Sequence, residues 1–253
     1  MWIRIVAVLL LSLTVSACVT NVTGKALPTA DKEKALASHI QLGLGYLRNK
    51  NLDLARHHFE KALAFDSQSA GALNGQALLY QLEGEVALAE SFFLKALSSD
   101  PSSSRARNNY GNFLYQQKKY SQAYQEFETV TRDLQYNYRA GALFNLGRAA
   151  KKIDKVERAE AVFTQVLMLD PRMSLALIEL AEIKFAKKEY AESRTLLDRY
   201  GKQSKQTARS LWLGIRIEQI FGNQDKLASH ALALKNLYPY SKELLEYQNS
   251  LKK

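Results

Sequence analysis

The sequence predicts an all-α protein, a superhelical solenoid of about six helix-turn-helix units that ends in a C-terminal capping helix. Helix-forming residues dominate, and the 253-residue chain contains only 4 prolines and 12 glycines to interrupt them. Small residues recur at a period close to 34, which is typical of stacked helical hairpins. Residues 241–253 form a short amphipathic segment, and solenoids need such a terminal helix with a polar outer side.

Three positions in each unit carry the repeat. The first is small and recurs at spacings of 34, 34, 36 and 34, at Gly43, Ala77, Gly111, Gly147 and Ala181. The second position is small and lies 12 residues later, at Ala55, Ala89, Ala123, Ala159 and Ser193. The third position is large and apolar, at Phe59, Phe93, Phe127, Phe163 and Leu197. Pro101 and Pro171 close the second and fourth units. One register kept over five units identifies the tetratricopeptide repeat.

Each unit is predicted to pair two antiparallel helices, A and B, because small residues allow close approach and the large residue fills the space beyond the contact. No unit buries its apolar face alone, so neighbours complete each other's core. The predicted units are 36–69, 70–103, 104–137, 140–173, 174–207 and 208–240. The 36-residue spacing predicts a longer turn near residues 136–139. The sixth unit is weaker, because Leu213-Gly214 and Pro239 are one residue too far apart.

The amino-terminal residues 1–17 have the pattern of an export signal. Arg4 precedes a run of apolar and small residues that is too short to span a bilayer. The single cysteine, Cys18, follows small residues in a pattern that resembles the lipobox of bacterial lipoproteins. That resemblance implies a lipid on Cys18, and Val19 after it favours the outer membrane. The alternative is a plain signal peptide with an incidental cysteine. Residues 18–35 are predicted to form a flexible tether.

Catalysis finds little support in the sequence. The adjacent His57 and His58 point about 100° apart on a helix and cannot share a metal ion as an i, i+4 pair would. The chain contains no HExxH, Walker glycine loop or GxSxG motif. We therefore predict no enzyme activity, no cofactor, no metal site, no nucleic-acid binding and no small-molecule substrate. The net charge of +10 favours acidic neighbours without identifying one.

The inner, concave surface lined by the A helices is the candidate binding site. Its predicted residues are Ile40, Leu44, Leu47, Leu78 and Leu82 in the first two units, and Asn108, Asn112 and Tyr115 in the third. Ile40, Leu44 and Leu47 form an apolar stripe on the first A helix. The core face of that helix is already supplied by Leu42, Gly43 and Tyr46. Such a stripe indicates either a docked helix or strand, or packing against the tether or the inner wall. Basic residues follow in the fourth unit, at Arg148, Lys151 and Lys152, where solvated charge is the simpler interpretation.

The whole mature chain resembles the type IV pilus pilotin lipoproteins. The similarity is carried by the lipobox, the short tether, the repeats, and the segments LGLGYLRNKNLDLARHHFEKAL and ARNNYGNFLYQQKKYSQAYQEF. The resemblance implies a lipid-anchored protein on the periplasmic face of the outer membrane. It implies that Cys18 carries the lipid, and that the groove of the early units binds the pilus secretin subunit. The protein would promote secretin localisation and multimerisation, and so pilus biogenesis and twitching motility. The alternative is a general periplasmic tetratricopeptide scaffold for peptidoglycan hydrolases or outer-membrane assembly factors.

Overall fold

The computed structural model describes residues 29–252, which form thirteen α-helices and no strand. The helices are α1 Thr29–Arg48, α2 Leu52–Phe65, α3 Ala70–Glu83, α4 Val86–Ser99, α5 Ser104–Gln116, α6 Tyr120–Thr131, α7 Arg139–Lys152, α8 Val156–Leu169, α9 Ser174–Ala186, α10 Tyr190–Gln203, α11 Ala208–Phe221, α12 Gln224–Leu237 and α13 Lys242–Ser250. The predicted signal segment and Cys18 lie outside the described residues. No helix within residues 29–252 has the length and apolar character needed to cross a bilayer.

Consecutive helices pair as six hairpins, from α1 with α2 to α11 with α12, and each hairpin packs on the next. The capping helix α13 packs on α11 and α12 and closes the array. Leu244 of α13 is buried in a cluster with Leu211, Ile215 and Leu234, so the cap covers the apolar end of the sixth hairpin. The prediction of an all-α tetratricopeptide solenoid with a C-terminal capping helix is confirmed.

The A and B helices approach most closely where a glycine faces a phenylalanine ring. A Cβ atom on Gly43 would stand 2.5 Å from Cε1 of Phe59, and a Cβ on Gly111 would stand 2.7 Å from Cε1 of Phe127. The same contact joins Gly147 to Phe163. These rings are fully buried. The glycines are therefore required by the space that the rings occupy.

Every hairpin turns at one residue in the left-handed backbone region. These residues are Lys50, Gly84, Lys118, Asp154, Lys188 and Gly222, at spacings of 34, 34, 36, 34 and 34. Only two of the six are glycine, so the other turns hold a conformation that costs a side chain about 1–3 kcal/mol. Backbone hydrogen bonds repay this cost, as at the Lys118 turn in the 2.9 Å bond from the N–H of Lys119 to the carbonyl of Leu114. The turn residue therefore marks the repeat more faithfully than the small residues do.

This register corrects the assignment of the sixth unit. Counting from Gly222, the small position falls on Ile215 rather than on Gly214, and Pro239 then stands where the proline is expected. Ala231 takes the position that phenylalanine holds elsewhere, and it packs on the cluster containing Ile215. A Cβ atom on Gly214 would stand 2.9 Å from the ring of His230, so the glycine–ring contact is kept in this hairpin but displaced by one residue.

Two further boundaries differ from those of a uniform repeat. The turn between α6 and α7 covers residues 132–138, whereas residues 66–69 suffice between α2 and α3. This is the longer turn that the 36-residue spacing predicts. The tether prediction, by contrast, is wrong for residues 29–35, because α1 already begins at Thr29. Alanine, lysine and glutamate are strong helix formers, and Asp31 in the first turn favours a helix start.

Replacing Gly111 by alanine tests the glycine–phenylalanine contact. The new methyl group would clash with the ring of Phe127, so we expect the free energy of unfolding to fall by about 1–3 kcal/mol. Gly45→Ala is the matched control, because nothing lies within 4 Å of a Cβ at this helical position. That variant should gain about 0.5–1 kcal/mol. Urea unfolding measures both values, and a neutral Gly111→Ala would contradict the role of the contact.

His230 predicts a pH dependence of stability. Its ring is half-buried against Gly214, and burial holds its pKa below the ordinary 6.5, with Lys226 adding to the shift and Glu218 and Asp198 opposing it. The unfolded chain binds this proton more readily than the folded chain. Stability therefore falls as the pH drops from about 6.5 towards the folded-state pKa.

The melting temperature should accordingly decrease between about pH 7.5 and about pH 5.5. His58 contributes with the same sign, because burial and the charges of His39 and His57 lower its pKa. His230→Gln should reduce the decrease more than His57→Gln does, because the exposed His57 acts only through its charge on His58. A decrease that is equal in all three proteins would contradict the assignment to His230.

Candidate functional site

The amino-terminal part of the inner face contains a depression of about 780 Å³, here called the amino-terminal groove. It lies between α1, α3, α5 and the long turn before α7. Its lining residues are Gln41, Leu44, Leu47, Arg48, Leu78, Gln81, Leu82, Arg105, Asn108, Asn109, Tyr136 and Tyr138. Leucines form one wall, and amides, arginines and tyrosines form the remainder. The groove therefore joins an apolar surface to a polar rim, the arrangement found at many protein interfaces.

Five of the eight groove residues expected from the sequence line this depression: Leu44, Leu47, Leu78, Leu82 and Asn108. Their function as partner contacts stays a prediction. Ile40 lies elsewhere, with its Cδ1 atom 3.1 Å from the place of a Cβ on Gly71, so it packs on the next unit. Asn112 and Tyr115 belong to the same inner face farther along α5 but do not line the groove.

Leu47 and Leu42 have exchanged the roles that the sequence pattern suggests. Leu47 is only 7% exposed and packs with Ala55, Phe59 and Leu79 in the core. Leu42 is 44% exposed, so it does not supply the core face of α1. Leu47 thus forms the floor of the groove, while Leu82, 57% exposed, forms its accessible wall. Of the apolar groove residues, only those above the Leu47 floor, such as Leu82, are available to a partner.

Two amide oxygens in the groove have no hydrogen-bond partner among the described residues. They are Oε1 of Gln81 and Oδ1 of Asn108, and both atoms are buried. The Nε2 atom of Gln81 donates a 2.7 Å hydrogen bond to Gln116 Oε1, which orients the Gln81 amide. Buried acceptors are costly when unpaired. A rotation of either amide towards the groove would let its oxygen accept an N–H group from a bound polypeptide.

The sequence-based reasoning missed the two tyrosines at the rim. Tyr136 and Tyr138 lie in the long turn, with ring centroids 5.8 Å apart. Tyr138 is 64% exposed, and burial raises the pKa of Tyr136. The available signal was the two-residue lengthening before the fourth unit. That lengthening carries both aromatic rings to the groove, where tyrosine is well suited to protein contacts.

Basic residues farther along the inner face are held by neighbouring side chains. The guanidinium carbon of Arg148 lies 4.4 Å from the ring centroid of Tyr115. Lys151 forms ion pairs with Glu179 and Glu182, so the interpretation of Lys151 as a solvated charge is wrong. Lys152 is exposed, as expected. This part of the surface is a connected polar network rather than a continuation of the apolar groove.

The described residues contain no group of three or more His, Cys, Asp or Glu side chains placed to hold a metal ion. A histidine pair that sequence spacing does not reveal joins α1 to α2, with 2.9 Å between Nδ1 of His39 and Nδ1 of His58. The rings of His57 and His58 meet edge to face. The tetratricopeptide scaffold suggests a protein-interaction role rather than catalysis.

Known proteins share both the repeats and the full length of the chain. Residues 40–104, 92–125 and 154–212 match models of the tetratricopeptide repeat. The type IV pilus assembly protein PilF of Pseudomonas aeruginosa is 37% identical over 249 residues, which cover 98% of this chain and 99% of PilF. An uncharacterized protein of Haemophilus influenzae is 26% identical over 155 residues, covering 61% of this chain and 84% of the relative.

Solved structures agree with the sequence comparison. A structure of Pseudomonas aeruginosa PilF superposes with a TM-score of 0.83 at 38% identity and covers 87% of this chain and 99% of its own. PilW, described as a widely conserved type IV pilus biogenesis factor, gives a TM-score of 0.72 at 26% identity, covering 85% of this chain and 99% of its own. The chain therefore belongs to the tetratricopeptide-repeat family of the type IV pilus assembly protein PilF.

Proposed function

We propose that this protein is an outer-membrane lipoprotein adaptor that binds the type IV pilus secretin and promotes its localisation and multimerisation. Homology to PilF over nearly the whole chain supports a role in type IV pilus biogenesis. The observation that carries the binding proposal is the amino-terminal groove. It combines the exposed Leu82 and the half-buried Leu44 and Leu78 with buried amide oxygens that have no hydrogen-bond partner among residues 29–252. Such a surface gains free energy when a polypeptide covers it.

The groove suits a secretin segment that presents both apolar side chains and free N–H groups. Apolar side chains would pack on Leu44, Leu78 and Leu82, which line one wall. Backbone or amide N–H groups would then reach Gln81 Oε1 and Asn108 Oδ1. Apolar contacts supply affinity without direction, whereas the two acceptors impose a register on the bound segment. An extended strand or a helix end offers donors in this way.

Lipidation of Cys18 is the second part of the proposal. Cys18 lies outside the described residues, and the support for its role is the lipobox-like sequence around it. Since α1 begins at Thr29, the predicted tether cannot extend past residue 28. A flexible segment of ten residues would span about 17 Å. The first unit, which contributes α1 to the groove, would then stay close to the membrane surface.

Charging the exposed wall of the groove tests the binding site. Leu82→Glu and Leu44→Glu should weaken secretin binding at least about tenfold, because an unpaired carboxylate resists burial against apolar groups. Leu94→Glu is the matched control, since Leu94 is 51% exposed on α4 and lies outside the groove. Circular dichroism should show unchanged helix content in all three variants. Normal secretin binding by Leu82→Glu would contradict the groove assignment.

The same variants can be examined in cells. Membranes from cells lacking the gene, run unheated on a denaturing gel, should lose the secretin multimer while the secretin monomer remains. Leu82→Glu should reproduce this loss and Leu94→Glu should not. A multimer that persists without the gene would contradict the pilotin function. It would favour the general periplasmic scaffold, for which the polar inner face of the later units offers a separate binding surface.

Cys18→Ala tests the lipid anchor. The variant should be exported but recovered in the soluble periplasmic fraction, because it lacks the thiol that a lipid requires. Thr20→Ala changes a neighbouring residue without removing the thiol and should remain with the outer membrane. The measurement is fractionation of washed membranes followed by an immunoblot. Cys18→Ala protein retained in washed outer membranes would refute the anchor.

A further inference from the structure

A second depression of about 510 Å³ lies at the other end of the inner face, between α9, α11 and α13. We call it the carboxyl-terminal pocket and define it by Glu182, Phe185, Arg209, Trp212, Arg216 and Glu246. The helices that form it are separate from α1, α3 and α5, which line the amino-terminal groove. Its chemistry also differs, because its walls are aromatic and charged rather than leucine-rich. The proposed secretin site does not involve it.

Arg216 is held by aromatic rings and not by a carboxylate. Its guanidinium carbon lies 4.5 Å from the ring centroid of Phe185 and 5.2 Å from that of Trp212. Its Nε atom is buried and has no hydrogen-bond partner among residues 29–252. Burial lowers the pKa of this arginine. The rings fix the plane of the guanidinium, and its Nε–H donor has no acceptor among the described residues.

Most other charges around the pocket have a partner of opposite charge. Arg209 forms ion pairs with Glu179 and Glu182, and Lys151 contacts the same two carboxylates. Lys242 lies 4.0 Å from Glu243. Glu246 acts on Arg216 through space but forms no ion pair with it in the described part of the chain. Arg216 is thus the cation of this pocket that lacks a bonded anion.

The fold builds the same arrangement two units earlier. Arg148 lies 4.4 Å from the ring centroid of Tyr115 and 5.9 Å from that of Phe144. Arg148 precedes Arg216 by 68 residues, and Phe144 precedes Trp212 by the same interval. Equivalent helix positions therefore place an arginine between two rings in both places. The later site adds a pocket and a buried nitrogen atom that has no hydrogen-bond partner among the described residues.

We propose that the carboxyl-terminal pocket binds a carboxylate of a polypeptide through Arg216, with an apolar side chain packed on Phe185 and Trp212. A planar guanidinium matches a carboxylate in two parallel hydrogen bonds, which are about twice as strong as neutral ones. The aromatic walls exclude water from those bonds and accept an apolar neighbour.

Trp212 provides a local signal for binding. The chain contains two tryptophans, Trp2 and Trp212, so a Trp2→Phe background isolates the fluorescence of the pocket. The probe is the peptide acetyl-Ala-Leu-Glu-Leu-Ala-amide, compared with the same peptide carrying Gln in place of Glu. A third peptide carries Gln and a free C-terminal carboxylate, and it separates side-chain from chain-end recognition. The Glu peptide should bind about tenfold more tightly than its Gln counterpart.

Three variants are expected to differ in their preference for the Glu peptide. Arg216→Gln should abolish the preference for the carboxylate. Glu246→Gln should increase that preference severalfold, because it removes a like charge from the pocket; a merely structural defect would not produce a gain. Arg148→Gln, at the equivalent position two units earlier, should leave the Trp212 response unchanged.

The same measurements can overturn the proposal. Equal affinity of the Trp2→Phe protein for the Glu and Gln peptides would overturn it. An unchanged preference for the Glu peptide in Arg216→Gln would also overturn it. If circular dichroism shows that Arg216→Gln is unfolded, Arg216→Lys replaces it, because lysine keeps the charge but not the planar fork. A reduced preference in Arg216→Lys supports the site, and an undiminished one refutes it. Tighter binding of only the free-terminus peptide would identify the ligand as a chain end.

Discussion

The contact between a small residue on helix A and a phenyl ring on helix B is the constraint on which the structure depends. At Gly43 and Gly111 the rings of Phe59 and Phe127 leave no room for a Cβ atom. This closeness sets the thickness of each hairpin, and the thickness sets the distance between successive A helices. Because the hairpins are thin, side chains of α1, α3 and α5 meet in one groove. The binding surface is thus a consequence of core packing.

Sequence reasoning succeeded where sterics allow few residue types and failed where volume can be exchanged. Five units share small and large apolar positions, so their hairpins were predictable. In the sixth unit the small position holds Ile215 and the large position holds Ala231. Aligning this unit on Gly214 therefore placed it one residue out of register. The turn position is uniform in conformation yet is occupied by lysine, aspartate or glycine. A backbone requirement met by hydrogen bonds leaves little trace in residue type.

The helix positions that line the candidate site were predictable, but whether each side chain there is buried or exposed was not. The helical period identifies the side that faces inward, yet residues at its border can turn to the core or to solvent. Leu47 is buried and Leu42 is exposed, which helical spacing alone could not distinguish. Tyr136 and Tyr138 reach the groove from a turn, outside any periodic pattern. The two rings that contact Arg216 come from α9 and α11, so their arrangement is visible only once these helices pack.

The two ends of the inner face offer different kinds of recognition, and the solenoid keeps them apart. Each repeat contacts mainly its neighbours, so a change in one hairpin has little effect several units away. The apolar wall near Leu82 stabilises a complex by excluding water, whereas Arg216 discriminates by charge. With a lipid on Cys18, as proposed, the groove would face the membrane end and the carboxyl-terminal pocket would project into the periplasm. One bound polypeptide need not satisfy both sites, so a segment held near the membrane leaves the distal pocket open to a second contact.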